Sequence, residues 1–324
     1  MGTLRTYFAA VTNVPPPEPF ATGTLDAGDG HVLHYEQVGS PDGTPVIYLH
    51  GGPGSGCTPG ARRHFDPRRH HAVLLDQRAA GRSTPHASTG AVPWRSIDMD
   101  HHVADIERLR VHLGIDRWIV FGLSWGSVLG ATYAERHPEQ VRAAVLAAVS
   151  TGSAEDIDWL TVHAGRFFPA EWRAFRDHVP SALRHLRPVD AYHTLLMDPD
   201  PVVHEAAAAA WCRWEDVHVS TTPGWRPNPH FDDPRFRLGF ARQVTHCWSN
   251  DCWLDPDEIV RNARRLAHVP GFLIHGRLDV SSPLDSPWRI HRAWPGSELI
   301  VVEDEGHGGE GMVAHWHRIL AELA

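Results

Sequence analysis

Trp118-Ile119-Val120-Phe121-Gly122-Leu123-Ser124-Trp125-Gly126 is the stretch on which the reading of the fold turns. Four apolar, β-favouring residues run without a polar interruption, which predicts a strand buried on both faces. From Val128 to Ala134 the residues are small and apolar and predict a helix. Between the two lies Gly-x-Ser-x-Gly, in the strand–turn–helix setting that a nucleophile elbow requires. A serine in so sharp a turn is strained, and flanking glycines remove the Cβ clashes while Oγ projects above the sheet. Ser124 is the candidate nucleophile.

Working outward, Val46–Leu49 and Ala72–Leu75 read as two further buried strands, each ending at Gly, Asp or Pro punctuation. Val103, Ile106, Leu109 and Leu113 recur at helical spacing. Val141–Val149 predicts another strand, so strand and helix alternate, and such βαβ alternation implies an α/β fold with a mainly parallel sheet and helices on both faces. From Thr151 the texture becomes Trp-, Arg- and Ala-rich with helical periodicity, and strand signals return only at Gly271–Ile274 and Leu299–Val302. The expected organisation is a core in two parts, residues 1–150 and 252–324, with a helical cap inserted over 151–251.

A serine hydroxyl needs a base, and the base needs an orienting carboxylate. Asp279, in Gly276-Arg277-Leu278-Asp279, and His307, in Gly306-His307-Gly308, each follow a strand, where open α/β sheets place their sites. Asp285 and Asp304 compete with Asp279 for the acid's role. His50-Gly51-Gly52-Pro53-Gly54 follows the strand Val46–Leu49 and suits an oxyanion loop. One donor is expected from Gly51 or Gly52 and the other from Trp125, the residue after the nucleophile.

Composition narrows the partners. The formal net charge is −9 with 25 His counted neutral, and no Lys/Arg block is long enough to track a phosphate backbone, which argues against nucleic acid. Met1–Phe20 lacks the apolar core of a signal peptide, its Pro15–Pro17 run suits a stiff extended arm, and no apolar run is long enough to span a bilayer. No membrane association and a cytoplasmic location are therefore expected. Cys57, Cys212, Cys247 and Cys252 form no CxxC pair and read as free thiols, and the histidines show no ligand spacing for a metal.

Taken together, HGGPG at His50–Gly54, Asp76-Gln77-Arg78 with Gly81 and Ser83, Ser124-Trp125-Gly126-Ser127, Gly276 to Asp279 and Gly306-His307-Gly308 resemble the proline iminopeptidase family of α/β-hydrolases. The resemblance implies the α/β-hydrolase fold, no cofactor, a helical cap over the site, and a small-molecule or short-peptide substrate with a free N-terminal amine. Trp211, Trp214 and Glu215 resemble the family's W-x-x-W-E, whose acid binds the substrate ammonium. Trp211 and Glu215 are i and i+4, so a helix would carry an aromatic wall and a carboxylate on one face. The segment Phe240–His246 resembles the one that carries a second acid, but Val244 stands in its place, so strict prolyl specificity is not expected. Asp76 and Arg78 are read as braces for the surrounding loops.

The activity this implies is removal of an N-terminal aminoacyl group from an amide. With hydrophobic contact favoured over charge, bulky apolar amines, including non-peptide metabolites in biosynthesis, become candidate leaving groups. An esterase or broad amidase indifferent to the amine is the rival within enzymes, and a ligand-binding homologue without catalysis the rival outside them. An epoxide hydrolase would need an aspartate where Ser124 stands.

Overall fold

The computed structural model describes residues 15–324. The expected absence of a signal peptide therefore falls mostly outside the described residues. Eight strands form one sheet in the order β1-β2-β4-β3-β5-β6-β7-β8. They are β1 (Pro19–Gly28), β2 (His31–Gly39), β3 (Thr44–Leu49), β4 (His70–Asp76), β5 (Trp118–Leu123), β6 (Val141–Ala147), β7 (Gly271–Gly276) and β8 (Ser297–Val302). β1 pairs with β2 and β2 with β4 antiparallel, and every other pairing is parallel.

The strand core follows from the period of two. Ile119 and Phe121 of β5 point to the face that also buries Tyr48, Trp316 and Ile319, whereas Trp118 and Val120 point to the face that buries Leu129 and Tyr133. Both faces are therefore covered, which explains the unbroken apolar runs of the central strands. Helices α1 (Met99–His112) and α2 (Trp125–Arg136) cover one face, and the C-terminal helix α10 (Glu310–Leu323) packs on the other. Asp98 caps α1 by accepting from the His101 N–H.

The sequence reading missed β1. Its burial alternates and reaches full burial only at Leu25 and Ala27, because it is an edge strand with one neighbour and one solvated face.

Between β6 and β7 the chain forms no strand among the described residues. It runs instead through α3 (Ala154–Thr161), α4 (Pro169–His178), α5 (Pro188–Leu196), α6 (Pro201–His218), α7 (Pro234–Ser249) and the short α8 (Glu258–Asn262). Phe175, Tyr192, Trp211, Trp214 and Trp248 pack together there, with Phe175 and Tyr192 stacked at 4.5 Å. Such aromatic contacts contribute roughly 0.5–1.5 kcal/mol each beyond area burial. The last core helix before the C-terminal strand is α9 (Asp285–Ala293). No described helix is long and apolar enough to cross a membrane.

Candidate active site

The elbow is dictated by close backbone approaches. A Cβ on Gly122 would lie 2.1 Å from the Gly126 carbonyl oxygen, and one on Gly126 would lie 2.0 Å from the Leu49 carbonyl oxygen. No side chain fits at either position, so the chain can turn tightly between β5 and α2. Ser124 sits at the apex with φ 54° and ψ −120°, a region that non-glycine residues adopt only when their surroundings force it. Its N–H donates to Ala147 at 2.9 Å, and its carbonyl accepts from the Ser127 N–H at 2.7 Å.

Two loops at the ends of β7 and β8 deliver the acid and the base to this apex. Ser124 Oγ lies 2.9 Å from His307 Nε2, and His307 Nδ1 lies 2.8 Å from Asp279 Oδ2. Asp279 Oδ1 accepts from the Ser282 N–H at 3.0 Å. The expected trio of Ser124, Asp279 and His307 is thus assembled in one hydrogen-bonded line, and Asp285 and Asp304 have no place in it. His275 adds a brace: its Nδ1 accepts from the Val149 N–H at 3.0 Å, so its Nε2 carries the hydrogen and donates to the Ser282 carbonyl at 2.7 Å.

Electrostatics follow the geometry. Burial would hold His307 below its usual pKa, but the adjacent Asp279 charge and hydrogen bond outweigh it, helped by Glu215, and raise the pKa above 6.5. Asp279 shows the converse, with burial opposed and outweighed by His307, so its carboxyl stays below the usual range. Only neutral imidazole accepts a proton from Ser124. We therefore expect kcat/KM to fall as pH drops through a single ionisation above pH 6.5. A pH–rate profile that stays flat down to pH 6, roughly the unperturbed imidazole range, would contradict this.

The oxyanion loop is tied to the elbow by a network that the sequence reading did not anticipate. Trp125 Nε1 donates to Gln77 Oε1 at 2.8 Å, and Gln77 Nε2 donates to the His50 carbonyl at 3.1 Å. The Gln77 N–H donates to His50 Nε2 at 3.2 Å, so His50 Nδ1 carries the hydrogen and donates to the Gly51 carbonyl at 3.0 Å. Burial keeps His50 in that neutral form. A Cβ on Gly51 would lie 3.4 Å from the Ser124 Cβ, and Gly52 lines the cavity. As the first residue of α2, Trp125 has an N–H with no carbonyl partner in the helix.

Asp76 and Arg78 brace this region, as expected. Asp76 accepts from the Cys57 N–H at 2.6 Å and from Arg82 Nε at 2.8 Å, while Arg78 grips Asp105 through two bonds of 2.6 and 2.9 Å. Arg82 also contacts Glu36, which Arg62 holds through bonds of 2.9 and 2.8 Å.

Above the elbow is a cavity of about 80 Å³, lined by Ser124, His307, Gly52 and Trp125 on one side and by Glu215 and Trp248 on the other. Glu215 is on α6, its Oε1 accepting from Trp211 Nε1 at 2.8 Å. Trp211 and Trp214 do not themselves line the cavity. They are buried in the aromatic cluster, Trp214 donating from Nε1 to the Leu160 carbonyl at 3.2 Å, and Trp248 supplies the aromatic wall instead. Val244 is also fully buried and away from the lining, because its face of α7 packs into the helical core.

Asp156, His218 and Ser281 line the cavity and were not singled out from sequence. The Asp156 carboxylate is already occupied, accepting from Ser150 Oγ, the Thr151 N–H, Thr151 Oγ1 and Ser286 Oγ at 2.7–2.9 Å. The four cysteines are free thiols.

Residues 44–309 match the family model described as alpha/beta hydrolase fold. A probable proline iminopeptidase of Streptomyces coelicolor is 45% identical over 93% of this chain and 95% of its own length. The chain belongs to the proline iminopeptidase family of α/β-hydrolases. A proline iminopeptidase of Arabidopsis thaliana is 40% identical over 94% of this chain and 79% of its own length. The crystal structure of a proline iminopeptidase from Mycobacterium smegmatis superposes with a TM-score of 0.60 at 21% identity, covering 94% of this chain and 98% of that one, which speaks for the fold. Gly52, Ser124, Trp125 and His307, from three of the motifs that carried the resemblance, line one cavity here.

Proposed function

We propose that the protein is a serine aminopeptidase that removes a small N-terminal aminoacyl group from an amide, with Ser124 as nucleophile, His307 as general base and acid, and Asp279 as the residue that orients the imidazole. The observation that carries this reading is the unbroken path from Ser124 Oγ to His307 at 2.9 Å and on to Asp279 at 2.8 Å, opening into the cavity that Glu215 lines. The names of the relatives, proline iminopeptidase in each case, support the same activity.

In the first half-reaction Ser124 Oγ attacks the carbonyl carbon and its proton passes to His307 Nε2. The negative oxygen is held by the Trp125 N–H and a donor from the Gly51–Gly52 backbone, each contributing about 3 kcal/mol to the transition state. His307 then gives the proton to the departing amine. Water enters, loses a proton to His307 and attacks the acyl-enzyme, which releases the free amino acid and restores Ser124.

Glu215 receives the substrate ammonium. With Glu215 and Ser124 lining the same cavity, holding the amine there directs cleavage to the bond after the N-terminal residue, so that cleavage is exopeptidic. The helical segment 151–251 acts as the cap, contributing Glu215, Trp248, Ile157 and Leu160 to the walls. On the leaving-group side nothing requires a peptide, so hydrophobic amides of small molecules remain within range.

Glu215→Gln tests the reading. With a free-amine substrate we expect kcat/KM to fall by about 10- to 100-fold through loss of a charge-assisted bond, and an N-acetylated substrate to be nearly unaffected. The acid limb of the pH profile moves to lower pH as well, since Glu215 helps to raise the His307 pKa. Equal losses on both substrates would reduce Glu215 to a structural role.

A further inference from the structure

Glu215 Oε1 already accepts from Trp211, while Oε2 accepts no hydrogen bond among the described residues. A prolyl ammonium presents two N–H donors and a primary ammonium three, so an acceptor beside Oε2 would complete its binding, and Val244 offers none.

One turn along α6, His218 stands beside that free oxygen. Its Nε2 lies 3.1 Å from Glu215 Oε2, with the histidine side chain 3% exposed and the glutamate 12%. Both residues line the cavity. The contact is within ion-pair distance but is not aligned as a hydrogen bond, and Nε2 has no hydrogen-bond partner among the described residues. The other ring nitrogen is firmly held, with Nδ1 2.6 Å from Ser281 Oγ. A buried ring nitrogen without an aligned partner is a costly arrangement unless a ligand completes it.

We propose that His218 is the second ligand of the substrate ammonium. In this arrangement Nδ1 carries the hydrogen and donates to Ser281 Oγ, which turns the Nε2 lone pair into the cavity beside Glu215 Oε2. An ammonium seated between the two donates one N–H to the carboxylate and one to the imidazole. A neutral acceptor thereby does the work for which a second acid would otherwise serve, and the site binds a single positive charge with a single negative one. Ser281 fixes the tautomer from the loop that also carries Asp279, so recognition of the amine and alignment of the acid share one loop.

The inference rests on the aminopeptidase reading above, and the two are separable by experiment. Steady-state kinetics of His218→Phe and His218→Gln would be measured on prolyl and alanyl p-nitroanilides and on their N-acetylated counterparts. We expect His218→Phe to lose about 10- to 100-fold in kcat/KM on the free amines, mainly through KM, with the acetylated substrates unchanged. His218→Gln, whose amide oxygen can take the place of Nε2, should retain most of the activity. Selective loss in Glu215→Gln but equal losses on both substrate kinds in His218→Phe would overturn this inference alone. Absence of amine selectivity in Glu215→Gln as well would overturn the aminopeptidase reading.

Folding is checked by thermal unfolding and by phosphonate labelling of Ser124. Should His218→Phe fail to fold, nitrogen NMR of 15N-histidine-labelled wild-type protein decides, with L-prolinol as a non-hydrolysable amine. The expected result is an unprotonated Nε2 on His218 whose resonance shifts on binding. An Nε2–H tautomer in the bound state would refute the proposal.

Discussion

Ser124→Ala is expected to lower kcat by about a millionfold, the scale on which removal of a triad serine acts, while leaving the fold intact. The substitution removes one oxygen from a partly exposed position and spares the backbone bonds from Ser124 to Ala147 and Ser127 that fix the elbow. Alanine does inherit the strained φ of 54°, but the surroundings that impose it on serine remain. A serine-directed phosphonate should add once per chain to the wild type and not to the variant. Residual turnover over the uncatalysed rate, from the oxyanion donors and binding, is consistent with this account. Labelling at another serine, Ser281 included, would not be.

Asp279→Asn should cost about 10⁴ in kcat for a different reason. A carboxylate accepts the His307 Nδ1–H and so leaves Nε2 free to take the Ser124 proton. An amide that turns its NH2 toward Nδ1 selects the opposite tautomer, in which Nε2 already carries a hydrogen. The variant also loses the negative charge that raises the His307 pKa, so its acid limb should move to lower pH while the rate falls. That pair of changes separates lost orientation from unfolding, which would leave the limb of the surviving molecules where it was. A limb that does not move would mean that Asp279 does not face His307 as an anion.

The sheet was legible because burial on both faces writes itself into sequence as unbroken apolar runs, as in Trp118–Phe121 and Ala143–Ala147. The elbow was legible for a steric reason, since only glycine is tolerated at positions 122 and 126. Asp279 and His307 could be found from their places after strands. What escaped was tertiary placement. β1 shows too little burial to declare itself, and Gln77 gives no sign in sequence that it joins His50 to Trp125. In the helical segment, spacing put Trp211 and Glu215 on one face correctly, yet it could not tell a cavity wall from the cluster behind it. The indole of Trp211 therefore reaches the site only through its bond to Glu215, and Trp248 from α7 forms the wall. His218 stands at i+3 from Glu215, a spacing that could have marked it as a neighbour of the carboxylate.

The account stands or falls on whether one site both hydrolyses the amide and requires the amine. The most direct test compares kcat/KM for prolyl and alanyl amides, each joined to a short peptide or to a large hydrophobic amine, against the same compounds N-acetylated. The account predicts that every free-amine compound exceeds its acetylated partner by about 100-fold or more, the worth of a buried charge-assisted contact with its second ligand. Equal rates within each pair, or faster cleavage of the acetylated forms, would contradict it and make the protein a general amidase or esterase.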